Sequence, residues 1–290
     1  MNIVIILLIG DFIVEVLRGS VKMYYSPLRY PGGKGKLTPF ISTMIEACGR
    51  IGGTYIEPFA GGAAVALELL DKGVVSEIVI NDLDKGIYSF WRAILTETER
   101  FIDEIDKVQV NMDEWYKQKR ICMNESSRYS FELGFATFFM NRTNRSGIIK
   151  GGVIGGKSQQ GPWKLDARFN KPDLIARIRK IAEKKRHIHL YNKDIVSFIN
   201  NFIPKYENNA FIYFDPPYFK KGHQLYMNYF EYKDHLRIEK LISSRVNCDW
   251  IITYDNHSFI HNLYANAKSL IYILPYSAGT NKHGIELLFY

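Results

Sequence analysis

Short apolar segments alternate with amphipathic segments along most of the 290-residue chain, and this alternation limits the folds that the chain can adopt. Several apolar segments lack polar positions, as expected of strands that are buried on both faces. Between them, apolar residues recur at helical spacing at residues 37–45, 87–95 and 174–182. The alternation predicts an α/β fold with a parallel, doubly wound sheet. Strands are predicted at residues 55–57, 77–81, 188–191, 211–214, 250–253, 270–274 and 285–289.

A long central segment interrupts this alternation. Helical signals at residues 131–140 are followed by a basic, glycine-rich stretch at 141–170. We interpret the interruption as an insertion with a function of its own, and the apolar N-terminus as an extension packed as an extra helix or strand. The predicted parts are an N-terminal extension at 1–22, a main domain at 23–100 and 187–290, and the insertion at 101–186.

Composition narrows the possible partners more than it narrows the fold. The formal net charge is +8 and the isoelectric point is near 9.2, which favours a polyanionic partner. The cysteines Cys48, Cys122 and Cys248 lie far apart, so we expect no metal site, no disulfide framework and a reducing, cytoplasmic location. The apolar run at residues 3–9 is too short to cross a bilayer, and we therefore expect no membrane association.

Residues 55–64 read Tyr-Ile-Glu-Pro-Phe-Ala-Gly-Gly-Ala-Ala, an apolar strand that enters a turn of small residues before a helix. Gly61 in such a turn lets the backbone approach a ligand closely. Asp82 follows the next predicted strand, where a carboxylate can accept hydrogen bonds from the ribose hydroxyls of a nucleoside-containing cofactor. A plain strand–helix turn with Asp82 as a helix cap explains the same residues equally well.

The strand at residues 211–214 runs directly into Asp215-Pro216-Pro217-Tyr218. Two prolines fix the backbone and remove two amide donors, which makes the turn rigid and rich in acceptors. The Asp215 carboxylate and the Pro216 carbonyl can both accept protons from one amino group, and Tyr218 can stack on the ring that carries it. Orienting two bound reactants is worth roughly 7–11 kcal/mol of barrier and needs no covalent intermediate. We therefore interpret Asp215, Pro216 and Tyr218 as catalytic.

These motifs stand in an order that is typical of one enzyme family. They are Ser26-Pro27-Leu28-Arg29-Tyr30-Pro31-Gly32-Gly33-Lys34, Glu57-Pro58-Phe59 with its turn, Asn81-Asp82, Asn141-Arg142 and Asp215-Pro216-Pro217-Tyr218. From Ser26 to the C-terminus the chain resembles the Dam-type (D12 class, alpha group) adenine-N6 DNA methyltransferases. The resemblance implies a Rossmann-like catalytic domain that binds S-adenosyl-L-methionine, a target-recognition insertion, and methylation of adenine N6 after base flipping. The segment after Asn141-Arg142 differs from the GATC-specific members, so no recognition sequence is carried over.

The resemblance also implies which residues bind the cofactor. Lys34 is suited to the methionine carboxylate, and Tyr30 to packing on the cofactor. Asp194 follows the strand at 188–191 and matches an acidic residue that reaches the cofactor's adenine, a role that is compatible with capping the next helix. The predicted cofactor-binding residues are Tyr30, Lys34, Glu57, Phe59, Gly61, Asp82, Asp194 and Asp215.

The glycine-rich stretch has the composition of a DNA-binding segment. Residues 140–171 carry seven basic residues and one acidic residue. Spaced cations neutralise phosphates, glycines let the backbone approach them, and asparagine and arginine can read base edges. A flexible, solvated loop is the alternative. The predicted DNA-binding residues are Asn141, Arg142, Asn144, Arg145, Lys150 and Lys157.

An aromatic segment at residues 226–232 follows the Asp-Pro-Pro-Tyr turn and is a candidate to close over a flipped base. Two other functions remain open: an RNA adenine methyltransferase and a non-catalytic DNA-binding regulator on the same fold. Intact Asp215 and Tyr218 argue against the regulator, and the basic insertion favours DNA over RNA. We expect double-stranded DNA as the partner and a monomer or weak dimer.

Overall fold

The predicted strands assemble into one seven-stranded sheet in the computed structural model, which describes residues 5–9, 12–16, 25–29, 34–219, 230–276 and 282–290. The strands are β1 Ile5–Ile9, β2 Phe12–Val16, β3 Thr54–Glu57, β4 Glu77–Asn81, β5 Ile188–Tyr191, β6 Ala210–Phe214, β7 Asp249–Asp255, β8 Ser269–Tyr276 and β9 Lys282–Phe289. Their order in the large sheet is β5-β4-β3-β6-β7-β9-β8. In the N-terminal extension, β1 and β2 form a separate antiparallel pair.

Helices lie between the strands, and several of them occupy predicted places. They are α1 Thr38–Ala47, α2 Ala64–Asp71, α3 Lys85–Thr96, α4 Thr98–Lys107, α5 Met112–Asn124, α6 Phe131–Thr143, α7 Lys171–Glu183, α8 Ile195–Asn201, α9 Tyr232–Arg245 and α10 Ser258–Leu263. The stripes at 37–45, 87–95 and 174–182 correspond to α1, α3 and α7, so these predictions are confirmed. Across the described residues, no helix is both long enough and apolar enough to span a bilayer.

The sheet is mixed, which corrects the prediction of a wholly parallel sheet. Strands β3 to β7 run parallel, whereas β9 is antiparallel to both of its neighbours, β7 and β8. The short connection between β8 and β9, residues 277–281, explains the reversal, because parallel neighbours need a crossover of a dozen or more residues. The order of connections reverses between β3 and β6, and in open α/β sheets ligands bind outside the carboxyl ends of the strands at such a point.

Alternate residues of the central strands point into two separate apolar cores. Tyr55 and Phe211 lie in the core that includes α1 to α7, while Ile56 and Ile212 lie in the core that includes α8, α9 and α10. This alternation follows from the two-residue period of a strand. All five residues of β6 are buried, as their apolar sequence predicts, so the turn after β6 is attached to a rigid element.

The insertion shares its core with the sheet domain instead of folding apart from it. Helix α6 packs on α3, and Phe138 stacks on Phe90 with 5.8 Å between ring centroids. Gly134 allows this close approach, because a β-carbon at that position would lie 2.6 Å from the Ser89 carbonyl oxygen. The backbone of α6 is therefore held directly against the backbone of α3.

Replacing Gly134 by alanine is expected to lower the free energy of unfolding by about 1–3 kcal/mol, because the added methyl group meets backbone atoms that cannot move aside. Urea denaturation measures the change. Gly152→Ala is the matched control, since a β-carbon there has no neighbour within 4 Å. Equal stabilities of the two variants would contradict the inferred helix contact.

Candidate active site at the carboxyl edge of the sheet

Asp215 lies at the end of β6 with its two carboxylate oxygens in different surroundings. Its Oδ1 accepts hydrogen bonds from Lys34 Nζ at 2.7 Å and from Thr253 Oγ1 at 3.0 Å. No hydrogen bond from the described residues reaches Oδ2. The Asp215 side chain keeps 25% of its surface exposed, whereas Lys34 keeps only 5%. Oδ1 is therefore bonded within the protein, and Oδ2 is left as an acceptor for a ligand.

Lys34 is the centre of a buried polar group that we call the Lys34 cluster, formed by Lys34, Asp215, Tyr218, Tyr272 and Glu286. The Lys34 ammonium also donates to the Tyr218 hydroxyl at 3.1 Å and lies 3.4 Å from Glu286 Oε2. The Tyr218 hydroxyl donates to Glu286 Oε1 at 2.6 Å, and the Tyr272 hydroxyl donates to Glu286 Oε2. Segments that are distant in sequence therefore meet in one network.

Burial and charge act in opposite directions on the members of this cluster. Burial by itself would lower the pKa of Lys34, but Asp215 and the surrounding hydroxyl and carboxyl groups raise that pKa well above its usual range. Burial raises the pKa of Asp215, and the nearby Lys34 ammonium opposes that increase. Lys34 therefore stays charged, and Asp215 binds a proton more readily than an exposed aspartate does.

The structure brings Lys34, Asp215, Pro216 and Tyr218 together, as the sequence motifs predict. The local arrangement of Tyr218 differs from the expected one. Its side chain is buried, its hydroxyl is bonded within the cluster, and the Lys34 ammonium lies 4.9 Å from its ring centroid. Tyr218 therefore does not present an open face for stacking here, and its hydroxyl is the part that contributes to the site.

A second group of predicted residues meets next to β3 and β4. The Gly61 amide donates to Asp82 Oδ2 at 2.9 Å, and the Asp84 amide donates to Asp82 Oδ1 at 2.9 Å. Asp84, not Asp82, caps α3 by accepting from two amides of its first turn. The alternative in which Asp82 is a helix cap is thus wrong, and Asp82 instead joins the glycine turn to the end of β4.

This arrangement fits a nucleoside-containing cofactor. A carboxylate has about four lone-pair sites, so Asp82 can accept from two ribose hydroxyls while it keeps both of its backbone donors. Burial, with a further contribution from Asp84, raises the pKa of Asp82 to about 7. Hydrogen bonds from ligand hydroxyls would favour the charged form of this carboxyl group.

Glu57, which was predicted to bind the cofactor, is buried, and its carboxylate is bonded by residues of its own strand and the next helix. Its Oε1 accepts from the Tyr55 hydroxyl and from the Ala66 amide, each at 3.1 Å. Burial raises the pKa of Glu57 to about 8. The carboxyl group satisfies a free amide in the first turn of α2, and we assign it to the support of the turn. Phe59 is half-buried and lies 5.7 Å, ring centroid to ring centroid, from Phe230.

The other predicted cofactor residues are placed less centrally. Asp194 accepts from the Ser197 amide at 2.9 Å, so its predicted capping of α8 is confirmed, and its side chain is exposed. Tyr30 lies outside the described residues, as do Tyr226 and Tyr229 of the aromatic segment.

The predicted base-reading residues are largely internal, which corrects the expectation for three of them. Asn141, Arg142 and Asn144 are buried. Asn144 accepts from the Trp115 indole at 2.8 Å and donates to two backbone carbonyls of its own loop. Arg142 donates to the Arg168 carbonyl at 2.7 Å. These side chains satisfy backbone groups of the insertion and are not available to base edges as they stand.

Asn141 connects the insertion to the segment that leads to Lys34. Its amide group accepts from the Arg29 amide and donates to the Arg29 carbonyl, both at 2.7 Å, like a backbone ladder pair. Gly147 approaches the same residue so closely that a β-carbon would lie 2.3 Å from the Arg29 carbonyl oxygen. The basic stretch is therefore anchored five residues before Lys34. Three predicted DNA-binding residues in it are exposed: Arg145, Lys150 and Lys157.

Three members of the site were not predicted from the sequence: Thr253, Tyr272 and Glu286. Glu286 had a recognisable signal, because it is a single acid within an otherwise apolar strand, Ile285-Glu286-Leu287-Leu288-Phe289. A charged residue that is buried in such a strand needs partners, and the partners here are members of the site. Thr253 and Tyr272 lack such a signal, since both are ordinary strand residues.

The parallel core, the reversed β9 and the Asp-Pro-Pro-Tyr turn together define an α/β enzyme of the methyltransferase type. The family model described as "D12 class N6 adenine-specific DNA methyltransferase" matches residues 30–274. The chain therefore belongs to the D12 class of N6 adenine-specific DNA methyltransferases. This finding confirms the resemblance, the enzyme class and the cofactor, S-adenosyl-L-methionine, that the sequence motifs imply.

Individual relatives are distant. The Type II methyltransferase M.MjaIII from Methanocaldococcus jannaschii is 22% identical over 206 residues, 66% of this chain and 68% of that protein. Among solved structures, SMU.776 complexed with SAH is 10% identical with a TM-score of 0.38, over 87% of this chain and 48% of that one. This chain thus spans about half the length of SMU.776. The rRNA methyltransferase aviRa from Streptomyces viridochromogenes is 10% identical with a TM-score of 0.41, over 90% of this chain and 86% of that one.

The pKa of Glu57 gives a testable pH dependence. Because the folded protein raises this pKa from 4.5 to about 8, the carboxyl group contributes stability below pH 4.5, and the contribution is lost as the pH rises through about 8. Glu57→Gln is expected to remove that loss, so its free energy of unfolding falls less than that of the wild type between these pH values. Urea denaturation across the range tests this, with Glu99→Gln on the exposed side of α4 as the control. Parallel curves for Glu57→Gln and the wild type would refute it.

Proposed function

We propose that this protein methylates the N6 atom of adenine at a specific sequence in double-stranded DNA, acting on a base flipped out of the duplex. The observation that carries the proposal is the asymmetry of Asp215, whose Oδ1 is held by Lys34 and Thr253 while Oδ2 has no partner among the described residues. An exocyclic amino group needs such an acceptor, and a base within a duplex cannot reach it without flipping.

In the proposed reaction, Oδ2 of Asp215 and the Pro216 carbonyl accept hydrogen bonds from the two N6 protons. These two bonds orient the nitrogen lone pair away from the turn, toward the donor. When bound, S-adenosyl-L-methionine supplies a methyl group on a positively charged sulfur. The bond from N6 to the methyl carbon would form as the methyl–sulfur bond breaks and leaves a neutral thioether, and the proton that N6 gives up would pass to the Asp215 carboxylate at Oδ2. Burial favours this step because it raises the pKa of Asp215.

The cofactor is proposed to lie between the two loops that follow β3 and β4. Asp82 would accept from its ribose hydroxyls, and the backbone around Gly61 would line it closely. Phe59 and Phe230 form an edge-to-face pair that packs against the second apolar core. In this arrangement Lys34 is buried and paired with Asp215, so we do not assign it to the methionine carboxylate.

The DNA is proposed to contact the basic stretch of the insertion. Arg145, Lys150 and Lys157 are exposed, and the hydrogen bonds between Asn141 and Arg29 hold this stretch next to the Lys34 segment. Cations at these positions would neutralise phosphates near a flipped base, which gives affinity and orientation without reading the sequence. Asn141, Arg142 and Asn144 are internal, so base reading is not assigned to them.

Asp215→Asn is expected to lower the rate of methyl transfer roughly 10²- to 10⁴-fold, because the amide keeps the size of the side chain but cannot take up the proton. DNA binding is expected to persist, since the charge removed is not on the basic stretch. Asp249→Asn is the matched control, because Asp249 begins β7 at the opposite edge of the sheet and pairs with Arg50 there. A methylation rate for Asp215→Asn equal to that of the control would exclude the catalytic role.

Replacing Arg145, Lys150 and Lys157 together by alanine is expected to reduce the slope of log K against log salt by roughly 3 for duplex DNA, since each phosphate contact contributes about 0.9. Filter binding at several salt concentrations measures the slope. The control removes three exposed cations from the opposite edge of the sheet, Lys72, Lys185 and Arg186. Equal slopes for the two triple variants would place the DNA elsewhere.

The decisive experiment supplies labelled S-adenosyl-L-methionine with unmethylated bacterial DNA and maps the modified positions. N6-methyladenine in one short motif is the expected product and would identify the recognition sequence. Transfer to RNA or protein with none to DNA would overturn the proposed substrate, and retained DNA binding without any transfer would favour a regulator.

A further inference from the structure

Glu286 lies in the middle of β9 with 1% of its surface exposed. Burying a lone carboxylate costs several kcal/mol unless it is paired and hydrogen-bonded, so a residue of this kind has a specific reason to be there. In the strand register, Glu286 is opposite Tyr272 on one side and opposite Asp255 on the other. Tyr218, Tyr272 and Lys34, which contact its carboxylate, all belong to the Lys34 cluster.

Glu286 contacts Lys34, which bonds Asp215, and Tyr218, which bonds Lys34. It accepts the Tyr218 hydroxyl at 2.6 Å and faces the Lys34 ammonium at 3.4 Å. Tyr272 donates to Oε2 of Glu286, the oxygen that also faces Lys34. The carboxylate therefore has a defined orientation, and Lys34 connects it to Asp215.

The strand neighbour of Glu286 restrains the same turn from a second point. Asp255 accepts a hydrogen bond from the Phe219 amide at 2.8 Å. Because opposed residues of an antiparallel pair point to the same face of the sheet, Glu286 and Asp255 hold the consecutive residues Tyr218 and Phe219 together. The orientation of the turn after β6 thus depends on the pairing of β7 with β9.

Charge within the cluster explains why the position of Lys34 matters. One ammonium group lies between two carboxylates, 2.7 Å from Asp215 Oδ1 and 3.4 Å from Glu286 Oε2. Attraction to Glu286 keeps the ammonium on the Oδ1 side of Asp215. Without that second anion, Lys34 would be drawn only to Asp215, where it can bridge both oxygens and occupy the acceptor that a substrate needs.

We propose that Glu286 is a positioning residue: it holds Lys34 and Tyr218 so that Oδ2 of Asp215 stays available to the target amino group. This role rests on the proposed function of Asp215 as the acceptor. It assigns to Lys34 a task in shaping the catalytic carboxylate, not in binding the cofactor.

The test compares Glu286→Gln with Glu99→Gln, the same substitution at an exposed acid of α4 that lies outside the Lys34 cluster. Glu286→Gln is expected to lower the single-turnover methylation rate roughly 10- to 100-fold, while the dissociation constant of S-adenosyl-L-methionine stays within about 3-fold of wild type. Glu99→Gln is expected to stay within about 3-fold in both. A wild-type rate for Glu286→Gln, or a loss that appears only in cofactor affinity, would overturn the inference.

A crystal structure of Glu286→Gln separates this inference from the proposed function, because it needs no turnover. If Lys34 has moved in that structure and bridges both oxygens of Asp215, the positioning role is supported, whatever the substrate is. If Lys34 has not moved, the positioning role is overturned. If Glu286→Gln does not fold, Tyr218→Phe replaces it, since this variant breaks the hydrogen bond to Glu286 and retains the charge. A wild-type rate for Tyr218→Phe counts against the role, and a loss with unchanged cofactor affinity supports it. Failure of the wild type to methylate adenine would refute only the proposed function.

Discussion

The ion pair between Lys34 and Asp215 joins residues that are 181 positions apart, and the arrangement of the site depends on it. Removing an ammonium and a carboxylate from water costs several kcal/mol for each ion, which their attraction offsets only with good geometry and further hydrogen bonds. Thr253 and Tyr218 supply those bonds, and Glu286 adds a second anion 3.4 Å from the Lys34 ammonium. The segment before α1, the turn after β6 and strands β7 and β9 must therefore adopt one mutual arrangement for any of these charges to be tolerated.

The reversed strand has a chemical consequence as well as a topological one. In a wholly parallel sheet, the strand beside β7 would be a parallel strand reached by another crossover connection. The antiparallel β9 instead runs back between β7 and β8 and carries Glu286 into register with Asp255 and Tyr272. The last strand of the chain thus completes a site whose motifs all lie earlier in the sequence. The periodicity of β9 predicted a strand but could not predict its direction, which depends on the length of the connection before it.

The composition of the insertion predicted a DNA-binding surface, but it did not predict which individual side chains are exposed. Its basic, glycine-rich stretch is exposed at Arg145, Lys150 and Lys157, as a DNA-binding surface requires. Asn141 and Asn144 face inward, because a loop without regular structure leaves backbone groups unpaired, and side-chain amides can satisfy them. A buried amide and an exposed one look alike in a sequence, so only the fold could separate anchoring from recognition.

The sequence by itself determined the seven strands of the large sheet, the helices at 37–45, 87–95 and 174–182, the family, and the rigid Asp-Pro-Pro-Tyr turn, because apolar periodicity and two consecutive prolines restrict the backbone locally. It also placed Gly61 near Asp82, since both follow neighbouring parallel strands. It could not determine the partners of Lys34, the internal role of Glu57 or the contribution of Glu286. Those are decided by which distant groups share one buried volume, where a charge persists only beside its complement. Local pattern carries no information about that pairing, and the tertiary structure alone supplies it.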